Sequence, residues 1–234
     1  MNLLAGIIAS LREFAFPAGC ALCCGPLLDG AECRAGLCAD CASRLIPESC
    51  ARCPRCGKPL ISERDLCGEC RGRPAPAFDA AKALFRYGGP ARALLVSYKF
   101  GTGRAASAFL AGLFREEVLA MAAEAPIVVP VPPRPGKLKR NGWDQVERLA
   151  RDLERSGVAV ERCLRRLPSR SQKELDRRGR ATNLVGKMVC VAGPPRVALL
   201  LDDVITTGAT LDACARALKE SGSEKVYALT FCYD

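Results

Sequence analysis

The sequence predicts an α/β protein with a mostly parallel central sheet, preceded by a small cysteine-rich domain. Three observations carry that expectation. Short apolar runs at 127–131 (IVVPV), 197–201 (VALLL) and 225–232 (KVYALTFC) are bounded by turn residues, as strands covered on both faces are. The stretches between them carry apolar residues at helical spacing. Finally, eleven of the fifteen cysteines fall between Cys20 and Cys70, and eight of those form C-x₂-C pairs.

The first 16 residues, MNLLAGIIASLREFAF, lack a basic leader, and Arg12-Glu13 interrupts the apolar run. They read as an amphipathic lead-in helix rather than an export signal. No run approaches the length of a membrane span. The expected location is therefore cytoplasmic, where paired cysteines mean metal rather than disulfides. The pairs are Cys20/Cys23, Cys38/Cys41, Cys53/Cys56 and Cys67/Cys70. Each can place two thiolates on one ion through a tight turn, and Zn²⁺ with four sulfurs is the natural occupant. Sequence order suggests two sites, Cys20, Cys23, Cys38, Cys41 and Cys53, Cys56, Cys67, Cys70, with a structural role. Cys24, Cys33 and Cys50 are spare; Cys24 in place of Cys23, and crossed pairing, stay open.

A Pro-rich stretch, 71–77, closes this part, so residues 1–72 are expected to form one domain and 78–234 another. In the second, 80–86 fits a strand, 87–90 a turn, 91–100 a helix and 104–124 another helix. After the 127–131 strand comes a basic loop with Arg134, Lys137, Lys139 and Arg140, placed where a diphosphate would meet positive charge. Val146, Leu149 and Leu153 then mark a helix. The segment 165–188 is dense in Arg, Ser, Gln and Asn and reads as a surface segment able to close over a ligand.

The stretch 197–211, VALLLDDVITTGATL, holds the most specific chemistry. The apolar strand ends at Asp202 and Asp203, and a small turn of Thr206, Thr207, Gly208, Ala209 and Thr210 follows. Leu211, Cys214 and Leu218 then share one helical face, with Gly222 where the helix would stop. A helix N-terminus offers free N–H groups and a positive dipole end, which suit a phosphate. Two carboxylates would repel that phosphate but accept hydrogen bonds from vicinal sugar hydroxyls, directly or through Mg²⁺. A ribose 5-phosphate at the carboxyl edge of a sheet satisfies both demands. No Gly-Lys-Ser/Thr follows, so this is not a Walker A loop.

Composition limits the chemistry further. There is no histidine, which excludes imidazole catalysis and His metal ligation. The net charge is +10, yet residues 1–79 hold nine basic and nine acidic side chains, so the excess lies beyond them. Between Arg134 and Arg180 fifteen Lys/Arg face seven Asp/Glu, a +8 segment suited to diphosphate or nucleic acid. A solvated face is the commoner meaning of such a run.

These landmarks resemble those of known families. The strand, Asp202-Asp203 and Thr206-Thr207-Gly208 resemble the signature of type I phosphoribosyltransferases, which bind phosphoribosyl pyrophosphate (PRPP). Tyr87-x-Gly89-x₂-Arg92-x-Leu94 with Lys99 and Gly101, Val129-Pro130-Val131-Pro132 with Gly142-Trp143-Asp144-Gln145, and Ser169-x₂-Gln172-x₂-Leu175 with Arg180 and Asn183 resemble the ComF competence-protein family. The paired cysteines match too. Asn141, Trp143, Asp144, Ser169 and Met188 depart from the family's usual Arg, Phe, Asn, Thr and Phe. The resemblance implies a type I phosphoribosyltransferase fold behind a zinc-ribbon N-terminus. It also implies Asp202 and Asp203 facing the ribose hydroxyls, Thr206–Thr210 on the 5-phosphate, and Mg²⁺ arriving with PRPP. Lys137, Arg140, Arg178 and Arg180 would cover the diphosphate. A role in cytoplasmic handling of single-stranded DNA during natural transformation follows, beside DNA-uptake or recombination proteins. The alternative is a working transferase that moves ribose 5-phosphate from PRPP to a nitrogenous acceptor.

Overall fold

The computed structural model describes residues 19–47, 50–60, 65–100, 106–138, 142–168 and 186–234. The lead-in helix, Lys139 to Asn141, and residues 169–185 with Arg178 and Arg180 lie outside the described residues. Contacts divide the chain into two compact units: Met1–Ile46 with Gly88–Leu110, and Pro47–Tyr87 with Ala111–Asp234.

The first unit holds the first cysteine group and two short helices, α1 (Gly30–Ala35) and α2 (Ala39–Ser43). Asp29 caps α1, its Oδ1 accepting from Ala31 N at 2.7 Å and Glu32 N at 2.8 Å. Glu32 in turn accepts from the backbone N–H groups of Leu28 and Ala39. Each bond satisfies a donor that a helix or loop start leaves open. Gly36 closes α1 at φ 69°, a left-handed position that glycine occupies without penalty.

In the second unit α3 (Gly68–Arg71) precedes β1 (Ala80–Arg86). Further along the chain come α4 (Gly89–Phe100), which belongs to the first unit, and α5 (Ser107–Ala120), which ends four residues before the expected 124. Beyond them are β2 (Ile127–Pro130), α6 (Gln145–Arg155), β3 (Leu164–Arg166), β4 (Met188–Cys190), β5 (Val197–Ile205), α7 (Ala209–Glu220) and β6 (Lys225–Tyr233). Four strands form one sheet in the order β1-β6-β5-β2, and every pairing is parallel. Leu199 and Leu200 are fully buried, as a strand covered on both faces requires. Leu211, Cys214 and Leu218 of α7 join the core cluster with Val129 and Leu200. The architecture is the expected α/β sheet preceded by cysteine-rich groups.

β5 runs four residues beyond the expected end at Leu201, so Asp202 and Asp203 lie inside the strand rather than after it. Its neighbours explain this. β6 stays paired as far as Ile205 and Tyr233, whereas β2 stops opposite Leu201 at Pro130. Past that point β5 has a ladder on one side only, and the acidic pair falls in that half-paired stretch. The β3–β4 hairpin was not expected, since the Arg-rich 165–188 segment read as surface; β3 begins in the buried Leu164.

The second cysteine group packs on the edge strand β1. Ala81 N donates to Pro54 O at 2.8 Å, and Arg52 Nη2 to Leu84 O at 3.3 Å. An edge strand carries unpaired backbone groups, and the knuckle covers them. The Pro-rich stretch is likewise held: Ala77 N donates to Asp212 Oδ1 at 2.6 Å, and Asp79 Oδ2 accepts from Val226 N at 2.7 Å. The division by contacts therefore differs from the one expected from composition in residues 88–110, which fall in the first unit, and in residues 47–72. The latter are anchored by backbone hydrogen bonds that composition does not announce.

Candidate functional site

At the carboxyl edge of the sheet Ile205 is followed by the turn 206–208 and α7. Gly208 is the N-cap of α7 at φ 77° and has no side chain to cap it, and Thr207 Oγ1 accepts from Ala209 N only at 3.4 Å. A left-handed turn into an uncapped helix leaves the first N–H groups and the positive dipole end facing outward, a ready anion seat. A cavity of about 220 Å³ opens there, lined by Arg134, Asp202 and residues 204–211. Thr206, Thr207, Gly208, Ala209 and Thr210 thus share one cavity with Asp202, and Arg134 supplies a cation at its wall.

Asp203 is placed differently. Its Oδ2 accepts from Gln145 Nε2 at 2.5 Å, and Gln145 Oε1 accepts from Lys137 Nζ. Lys137 is also ion-paired with Asp144 at 2.5 Å. Asp144 is buried at 4% exposure and caps α6, its Oδ1 accepting from Val146 N and Glu147 N at 3.0 Å. Lys137 therefore reaches Asp203 through Gln145, and much of its charge is committed to Asp144. Asp202 accepts the backbone N–H of Asp203 at 2.8 Å, which turns the two carboxylates into distinct environments. Arg140 and Arg180 lie outside the described residues.

Arg166, in the unexpected strand β3, is the residue the sequence concealed. Its Nε and Nη2 are buried and have no hydrogen-bond partner among the described residues. Burial, with Arg134 next, pushes its proton affinity down, while Cys214 and Asp202 oppose the shift. Arg134 and Asp202 line the cavity, so a partly unsatisfied guanidinium lies within electrostatic reach of it. A buried unsatisfied cation is costly and calls for an anion. No signal in a three-residue strand inside an Arg-rich run could have singled it out.

The +8 segment is partly neutralised within itself. On and beside α6, Arg148 pairs with Asp152, Arg151 with Glu147, Arg155 with Asp152, and Arg162 with both Glu147 and Glu154. Along this helix the solvated-face meaning of a basic run holds.

The eight paired cysteines gather into two groups in sequence order, Cys20, Cys23, Cys38, Cys41 and Cys53, Cys56, Cys67, Cys70. Within each group the sulfurs lie within 4.8 Å of one another. A tetrahedral Zn²⁺ with bonds of about 2.3 Å sets its sulfurs about 3.8 Å apart. Cys23 and Cys38 Sγ are 3.8 Å apart and Cys56 and Cys67 Sγ 3.5 Å, so the donor set fits a metal, zinc above others. Burial pushes the Cys20 and Cys53 thiols up, but backbone N–H groups outweigh it and bring them down to about 6 and about 7. Burial drives three thiols the opposite way, Cys70 to about 11 and Cys41 and Cys56 further. A dication relieves such crowding by taking all four as thiolates. Cys24, Cys33 and Cys50 are exposed and outside both groups.

Among the described residues no helix is long and apolar enough to cross a membrane. No model of a known protein family matches the chain. Individual proteins do. The chain is 29% identical to the DNA utilization protein YhgH of Salmonella typhimurium over 227 residues, covering 92% of this chain and 97% of that protein. It is 27% identical to the competence protein ComFC of Streptococcus pneumoniae over 192 residues, 81% of this chain and 84% of the relative. It is also 27% identical to competence protein F of Haemophilus influenzae over 203 residues, 82% and 87% of the two chains. With its parallel sheet, its acidic pair before a Thr-Thr-Gly turn and its two four-cysteine groups, the chain is a distant homologue of the ComF-type competence and DNA utilization proteins.

Proposed function

We propose that the protein binds PRPP with Mg²⁺ at the carboxyl edge of its sheet and works in the cytoplasmic handling of single-stranded DNA. One observation carries the reading: the 206–210 turn, Asp202 and Arg134 line a single cavity at an uncapped helix N-terminus. The turn takes the 5-phosphate. Asp202 and Asp203 accept the sugar hydroxyls and hold Mg²⁺, and Gln145, itself held by Lys137, orients Asp203. The diphosphate falls to Arg134 and Arg166, with Arg140 and Arg180 assigned from the basic segment of the sequence. The DNA role rests on the names of the relatives, and the two cysteine groups, filled with zinc, serve as staples.

Calorimetry with PRPP and Mg²⁺ tests the site. Wild-type protein should bind, and Asp203→Asn should bind at least about tenfold more weakly, as loss of a charge-assisted contact implies. Absence of heat with the wild type would remove the reading. Titration of single-stranded DNA at two salt concentrations should show affinity falling steeply with salt, the mark of phosphate contacts.

The acidic pair supports a second reading, an active phosphoribosyltransferase. Two carboxylates beside the ribose would steady positive charge growing at C1 as diphosphate leaves and a nitrogen attacks. Diphosphate release from PRPP with any member of a panel of nitrogenous bases would establish it.

A further inference from the structure

A second and larger cavity adjoins the same turn. Its volume is about 660 Å³, against about 220 Å³ for the Asp202 cavity, and both are lined by residues 205–209. Sites for small organic molecules usually span ~300–1,000 Å³. The walls come from the second cysteine knuckle, the stretch 73–76 with Phe78, and α7.

The charge of the walls is one-sided. Arg55, Lys58, Arg73 and Arg216 line the cavity against a single carboxylate, Asp212. That carboxylate is already engaged: Oδ1 accepts from Ala77 N at 2.6 Å and Oδ2 from Arg216 Nε at 3.1 Å. Arg55 is held in place by two carbonyls, its Nη1 donating to Cys70 O at 3.0 Å and Arg73 O at 2.8 Å. An excess of cations, with Arg55 held in place, selects an anion. The remaining wall is apolar, with Pro74, Pro76 and Phe78. A sugar phosphate or inorganic phosphate has nothing to place there, whereas a nucleotide has both a charged end and a flat apolar body. Three of the four cations come from residues 1–79, where basic and acidic residues balance, so the concentration is created by folding.

We propose that this cavity binds a nucleotide, its phosphate among Arg55, Lys58, Arg73 and Arg216 and its base against Pro74, Pro76 and Phe78. The nucleotide is either free or one unit of a single strand, and the shared turn sets it beside any ligand of the Asp202 cavity. The second case deepens the DNA-handling reading; the first stands without it.

The test uses full-length, zinc-loaded protein, with fluorescence anisotropy of a labelled mononucleotide and of a labelled single-stranded oligothymidylate. Lys58→Glu and Arg216→Glu are compared with wild type. Arg216 is 59% exposed, so its reversal leaves the core alone. Each variant should lose at least about tenfold in affinity for whichever probe binds, the effect of removing a charge-assisted contact and adding repulsion. Bound zinc should be unchanged in both. Binding of the mononucleotide identifies a free-nucleotide site; binding of the oligonucleotide alone identifies a strand-binding site. The proposal fails if neither probe binds, if both variants stay within roughly twofold of wild type, or if inorganic phosphate competes as well as the nucleotide. PRPP titrations of wild type and Asp203→Asn report on the other cavity, so failure there and failure here are distinguishable.

Discussion

Gly57 offers the sharpest structural test, because two independent costs fall on one atom. It follows Cys56 in the second knuckle and adopts φ +72°. A side chain in the left-handed region costs about 1–2 kcal/mol. A Cβ built there would also lie 2.7 Å from Ala83 N and 3.0 Å from the Cα and carbonyl carbon of Lys82. Those are backbone atoms of β1, paired in parallel with β6, and cannot swing aside as a flexible side chain would. Overpacking of this kind adds about 1–3 kcal/mol. Gly57→Ala should therefore destabilise the second unit by about 2–5 kcal/mol, a large part of a domain's usual ~5–15 kcal/mol. Gly68 is the internal control. It follows Cys67 in the same group, carries no left-handed φ, and has nothing within 4 Å of its added Cβ. Gly68→Ala should stay within about 0.5 kcal/mol of wild type, or gain slightly from helix propensity. Urea unfolding followed by circular dichroism, with zinc content measured on the same samples, separates the two. Equal stability of the two variants would refute the claim that the knuckle is pressed against the strand.

Three further outcomes are expected. Arg166→Met should raise stability by about 1 kcal/mol or more, since a buried, partly unsatisfied cation is replaced by an apolar chain, while weakening PRPP; denaturation and calorimetry together check it. Removing metal with a strong chelator should release two zinc ions per chain and lower the melting temperature. Replacing Cys24, Cys33 and Cys50 together by serine should leave that stoichiometry intact, because all three lie outside the two groups. Asp79 has its carboxyl held below the usual range: burial raises it, but hydrogen bonds from Lys219 and Val226 N outweigh burial. A depressed folded value means its stabilisation is complete above about pH 4 and is lost as pH falls through the folded value. With the side chain 40% exposed the effect is under about 1 kcal/mol, and Asp79→Asn should flatten the acid limb of a stability–pH curve.

Local chemistry made much of this protein legible in its sequence. The β1 run, the apolar stretch opening β5, and the helical faces of α6 and α7 are recorded by period and by turn residues, which report whether a segment is buried on one side or two. The eight cysteines are legible because a four-sulfur metal site demands pairs at fixed short spacing, and the Asp202–Thr210 stretch because an acidic pair, small residues and a helix start follow one another locally. What only the tertiary structure decided depends on residues far apart in the chain. β5 outruns β2 because the two strands differ in length, so Asp202 and Asp203 stand inside a half-paired strand. Arg166 Nε and Nη2 find no hydrogen-bond partner among the described residues because of what folds around β3, and Lys137 is turned to Asp144 because that carboxylate caps a buried helix start. The cations of the second knuckle meet Arg216 across more than a hundred residues of sequence. Period and spacing describe a residue's own segment; charge pairing and cavity walls are set by which segments meet, and that is a property of the packed chain alone.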